Sequence, residues 1–80
     1  MKFILLNDID FGKDTITNYG STFAILVDDL VLVTTFEIEG IKCSKLTFKD
    51  GKEFICIQNV REVLERINEV SKWLNQQNSY

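Results

Sequence analysis

The residues with the spacing of known chemistry lie near the front of the chain. Asp8, Asp10 and Gly12 alternate like the opening of a calcium loop, where carboxylates two residues apart converge on one ion. The pattern then fails, because the glycine falls at the fifth position instead of the sixth and the twelfth position is Tyr19 instead of an acid. Gly12-Lys13-Asp14-Thr15 has the tail of a phosphate loop, but Asn7 stands where its first glycine belongs and Asp14 would repel phosphate. Cys43 and Cys56 are the only thiols and there is no histidine. A zinc site would therefore need ligands from a second subunit, and a Cys or Ser nucleophile lacks its usual base. No pair of carboxylates is spaced for acid–base work. We expect no catalytic residues, no metal site and no cofactor; the protein reads as a non-enzyme.

Lysines 42, 45, 49 and 52, with only Asp50 among them, make one segment locally basic in a chain of net charge −3. Two functions suit such a patch. It can flank aromatic side chains in a small barrel that binds nucleic acid or a nucleotide, or it can guard a sheet edge against unwanted strand pairing. The sequence favours the second, because the alternation of Phe48 and Phe54 suits a core.

The elements that would carry these residues are legible. Lys42 to Lys49 alternates with the period of a half-buried strand, and Phe54 to Ile57 is apolar on both faces. Asp50-Gly51 joins them in one of two registers: a two-residue turn, or Lys49-Asp50-Gly51 as a type I turn with a glycine bulge. The bulged form is mildly preferred, since it avoids setting Lys49 against Lys52. It places Phe48 opposite Lys52, Leu46 opposite Phe54 and Thr47 opposite Glu53. In either register the two cysteines are diagonal or on opposite faces, so free, buried thiols are expected.

Asn59 with Glu62 three residues later reads as a capped helix start. Val60, Val63, Leu64, Ile67, Val70 and Leu74 then fall in a stripe about 120° wide that should pack on the sheet. Trp73 lies off that stripe and is a candidate partner contact.

Met1 to Leu6 reads as a doubly covered strand. Asn7 to Ser21 is polar, and reads as a long loop 7–21 or a wide hairpin arm carrying Phe11 and Tyr19, a candidate binding element. Thr22 to Val27 and Leu30 to Ile38 are strands around a turn at Asp28-Asp29. Leu30, Leu32, Phe36 and Ile38 share one face, and the first half of their strand is expected to be covered on both sides.

Eighty residues make a single domain, 1–80: residues 1–58 mainly β, a helix over 59–77 and a fraying tail at 78–80. The predicted fold class is α+β, a five-stranded antiparallel meander curled into a small SH3- or Sm-like barrel with one C-terminal helix. A core this small invites self-association. With no export signal or membrane span, a cytoplasmic location is expected.

Phe23-Ala24-Ile25-Leu26-Val27-Asp28-Asp29-Leu30-Val31, then Leu46-Thr47-Phe48-Lys49-Asp50-Gly51-Lys52, then Ile57 to Ile67 resembles the small flagellar and swarming-motility protein family over about half the chain. The resemblance implies a small cytosolic accessory protein without catalysis, and it transfers no functional residues. The expected function is a non-enzymatic interaction module, self-associating and acting as an adaptor, regulator or inhibitor in a bacterial or phage setting. The alternative is a small barrel binding nucleic acid or a nucleotide through the Lys42–Lys52 hairpin or the 7–21 segment. The candidate contact residues are Trp73, Phe11, Tyr19, Lys45, Lys49 and Lys52.

Overall fold

The helix begins where its cap places it. In the computed structural model, which describes the backbone of residues 2–12 and 15–77 and the side chains of 2–9 and 20–71, Asn59 Oδ1 accepts the Glu62 N–H at 2.9 Å. Glu62 Oε1 accepts the Asn59 N–H at 3.2 Å in return. This reciprocal pair satisfies two N–H groups that the start of a helix otherwise leaves bare. The helix α1 runs from Val60 to Gln77. It packs chiefly on the first strand and more lightly on the third and fourth.

Five antiparallel strands precede it: β1 (Phe3–Gly12), β2 (Thr15–Leu26), β3 (Leu30–Ile38), β4 (Ile41–Phe48) and β5 (Glu53–Cys56), with a 3-10 turn at Val27–Asp29 between β2 and β3. They form two sheets, β1-β2 and β3-β4-β5, and no ladder among the described residues closes them into a barrel. The α+β class and the antiparallel order are as predicted; the single curled sheet is not.

Of the two readings of 7–21, a long loop or a wide hairpin arm, the second holds: β1 and β2 pair from Phe3↔Leu26 out to Gly12↔Thr15. Its Thr, Ile and Tyr residues favour extended backbone, and pairing satisfies polar groups that a free loop would leave to water. Register shifts after Asn7 and after Asp10 bend the arm. At Gly20 a Cβ would lie 3.0 Å from the Asp8 carbonyl oxygen, so any larger residue there would press on the Asp8 backbone. The arm and the helix extend the molecule to 52 × 24 × 19 Å.

The β4–β5 hairpin takes the bulged register. Phe48 N–H donates to Lys52 O, Gly51 N–H to Phe48 O, and Thr47 and Leu46 stand opposite Glu53 and Phe54. Gly51 has φ +89°, the conformation that the bulge demands. The β3–β4 turn is tighter, with both Glu39 (φ 51°) and Gly40 (φ 79°) left-handed, as a two-residue turn of primed type requires.

The core lies between the sheets and under the helix: Ile4, Leu6, Ile25, Leu46, Cys56 and Val63, with Phe23, Val27, Leu30, Val33, Phe48, Ile67 and Val70 against it. Three coverage expectations fail here. β1 is covered on one face only, since Ile4 and Leu6 are buried while Phe3 and Leu5 are exposed. On β3, a register shift between Leu30 and Leu32 moves Val33 onto the core face opposite Leu46 and leaves Val31 and Leu32 in solvent. The predicted pairing of Leu30 with Leu32 on one face is thereby broken, because a bulge offsets the two-residue alternation by one. On α1, Leu64 sits at the far margin of the apolar stripe and is exposed.

Candidate functional site: two open strand edges and the slot beside one of them

Which strand edges remain open follows from the hydrogen bonds. Val27 N–H donates to Lys2 O at 2.8 Å, and Ile4 stands opposite Ile25. Alternation therefore turns the backbone of Val27, Ile25 and Phe23 toward β1, and that of Ala24 and Leu26 away from it. The other edge of β1 is sealed. Asn7 O accepts the Ile57 N–H at 3.0 Å, Asn7 N–H donates to Gln58 Oε1 at 2.9 Å and Gln58 Nε2 donates to Asn7 Oδ1 at 2.8 Å. The Arg66 guanidinium caps Leu5 O. Gln58, 2% exposed, thus acts as a short artificial strand and holds the two sheets together. Nothing in the sequence pattern singled it out, since an isolated glutamine before a cap has no periodic signature.

β1 and β5 also have a single ladder neighbour each but meet at Asn7 and Ile57, whereas among the described residues the outer edges of β2 and β3 show no bond to a further strand. On β3 the tight turn makes Ile38–Ile41 a bonded pair, so Val33, Thr35 and Glu37 direct their N–H and C=O groups outward. β2 itself carries no charge, since none occurs from Thr15 to Val27; β3 is uncharged from Leu30 to Phe36, with Glu37 near its end, and the chain has no proline. The lysines predicted to guard an edge do not. Lys42 and Lys45 lie on β4, the central strand of its sheet.

Beside the β2 edge is a slot of about 350 Å³ lined by Ala24, Ile25, Leu26, Asp29, Phe48, Lys49, Asp50, Lys52 and Phe54. Phe54 lies on the core side, opposite Leu46, yet is 51% exposed. Its ring stacks on Phe23 and meets Phe48 edge-on, both at 5.8 Å between centroids. The expectation that Phe54 belongs to the core fails: its ring packs on Phe23 and Phe48 but keeps half its surface open to the slot.

Of the predicted contact residues, Lys49 and Lys52 reach this slot and Lys45 does not. Lys45 Nζ is 3.0 Å from Glu53 Oε2, and Lys52 Nζ is 3.9 Å from Asp50 Oδ2. Two of the four hairpin lysines are thus paired with the hairpin's own acids. The side chains of Phe11, Tyr19 and Trp73 lie outside the described residues.

The motifs weighed for chemistry resolve differently. Asp8 and Asp10 sit in the extended backbone of β1, and Asp8 Oδ1 accepts the Ile9 N–H at 2.9 Å; Lys13 and Asp14 lie outside the described residues. Among the described residues no three His, Cys, Asp or Glu side chains cluster as metal ligands. Both cysteines are free and buried. Pairing Ser44 with Cys56 places the thiols on opposite faces. Burial raises both thiols above their ordinary range, Cys56 to about 11. Its proton points to Gln58 O, 3.6 Å away. Such thiols are poor nucleophiles at neutral pH.

No helix among the described residues is long and apolar enough to cross a membrane. The chain matches no family model, no curated protein sequence and no solved structure.

Proposed function

We propose that this protein is a non-enzymatic interaction module that self-associates and serves as an adaptor, regulator or inhibitor in a larger assembly of the cytoplasm. The supporting observation is that neither open strand edge carries a lysine or a proline, and β2 carries no charge at all. Soluble proteins ordinarily blunt such edges with lysine, proline or a covering segment, because unpaired N–H and C=O rows invite another strand. Here Lys42 and Lys45 stand on a central strand. Phe3, Leu5, Val31, Leu32, Ile41, Phe54 and Leu64 are all large, apolar and exposed, more than solubility favours in so small a chain. The two sheets read as an open form of a small barrel, joined through Asn7 and Ile57 and completed by strands from elsewhere.

Light scattering on the full chain tests this reading. A mass above the 9.3 kDa of one chain supports it, and a monomer at every concentration up to the solubility limit refutes it.

A second reading draws on the half-exposed Phe54 beside Lys49 and Lys52, the combination of stacking surface and cations that single-stranded nucleic acids or nucleotides occupy. It predicts oligonucleotide binding that weakens with salt and is lost on changing Lys49 and Lys52 to Glu. Absence of binding at low salt would end it.

A further inference from the structure

We propose that copies of this chain join head to tail, the open edge of β3 in one copy adding beside the open edge of β2 in the next. This rests on the self-association reading above and specifies the surfaces. The two edges complement each other in three respects.

The first is backbone. Ala24 and Leu26 direct N–H and C=O groups into the slot, and Val33 and Thr35 direct theirs out from β3, so two rows of unmet donors and acceptors can satisfy one another. The second is apolar surface. The slot exposes Phe54 over Phe23 and Phe48, whereas β3 exposes Val31 (63%) and Leu32 (52%) with nothing covering them. A strand laid along β2 covers both sets at once. The third is charge. Lys49 and Lys52 border the slot together with Asp29 and Asp50; Lys52 is paired with Asp50, whereas Lys49 has no ion pair among the described residues. The uncharged run of β3 is bracketed by Asp28 and Asp29 before it and Glu37 and Glu39 after it. An incoming β3 thus carries acids toward Lys49.

Pairing β3 with its own copy is more restricted: an antiparallel register centred on Val33 sets Asp29 against Glu37 of the other chain, one centred on Thr34 sets Asp29 against Glu39, and one centred on Thr35 avoids both but pairs only Leu32 to Ile38. The chain exposes 5701 Å², about 700 Å² more than a typical folded monomer of its mass, so it carries surface that a partner can cover. Because the joined surfaces differ, each addition leaves one of each exposed. The assembly is therefore a ring if its rotation closes, and otherwise a filament.

The test uses two full-length variants, each blocking one surface. Val31→Lys places a charge on the exposed face of β3. Ala24→Pro removes a donor that faces away from β1, so the monomer's own ladder is preserved. Where Ala24→Pro fails to give a native circular dichroism spectrum, the double change Lys49→Glu/Lys52→Glu blocks the slot from its rim. Wild type should elute in light scattering as an assembly larger than a dimer. Each variant alone should be a monomer, and an equimolar mixture should form a dimer of one of each, since the slot of the first and the β3 edge of the second are intact. A folded pair of variants that stays monomeric when mixed, or that keeps the wild-type mass when separate, overturns the head-to-tail pairing and leaves self-association standing. A monomeric wild type removes both.

Discussion

At the scale of single residues, the arrangement around Asn7, Gln58 and Cys56 decides whether the two sheets stay together. Removing the Gln58 amide takes the partners from the Asn7 N–H and Oδ1 in a part-buried site, while Asn7 Nδ2 keeps Thr22 Oγ1; each orphaned group costs about 1–3 kcal/mol when buried. Gln58→Ala should therefore lower the denaturant midpoint well beyond the effect of a typical surface substitution, with urea unfolding as the check. Cys56 supplies a pH dependence. Burial lifts its pKa from 9.0 in the open chain to about 11 in the fold, so the unfolded state releases its proton first. Stability from this group is complete below pH 9 and is lost as pH rises through about 11. Cys56→Ala should flatten the alkaline limb of a stability–pH profile between those values. In the native protein both thiols should resist a disulfide reagent at pH 8 and react fully only once urea has opened the fold.

The elements differ in how far their local signals carry. The Asn59–Glu62 pair was legible because a cap is a contract between residues three apart, and the structure honours it atom by atom. The bulged β4–β5 register followed from one avoided like-charge pair and a glycine in the right place. The β3–β4 turn is less well matched: Glu39 adopts φ 51°, a region that costs an ordinary L-residue roughly 1–2 kcal/mol. Glu39→Asn should recover part of that and raise the melting temperature by several degrees, as about 1 kcal/mol shifts a domain of this size by 4–8 °C. Calorimetry at low protein concentration checks it. What local signals could not supply was the bulge at Val31. A single extra residue exchanges which side chains face the core, and no feature of Leu30-Val31-Leu32-Val33 distinguishes the two faces before the opposing strand is in place.

At the scale of the whole molecule, the consequence of an elongated shape and two open edges is that stability should depend on concentration. Only Ile4, Leu6, Ile25, Cys43, Leu46, Cys56 and Val63 are fully buried apolar residues among those described. Each contributes at most roughly 1.5–3 kcal/mol against the conformational entropy of eighty residues. If strands are shared between copies, the unfolding midpoint rises as the protein is concentrated, because mass action favours the assembled folded state. A midpoint constant over a hundredfold range of concentration would speak for a self-sufficient monomer.

Composition and spacing by themselves determined the α+β class, the strand order, the capped helix, the two free thiols and the absence of any recognisable catalytic motif. These rest on interactions within a few residues of chain, where periodicity and turn chemistry dominate. Only the tertiary structure decided that the polar 7–21 segment is a paired arm, that Gln58 locks the sheets, that Phe54 is exposed and that Lys42 and Lys45 stand on an inner strand. Each of those depends on which distant segment arrives alongside, and an edge exists only once all the pairings are known.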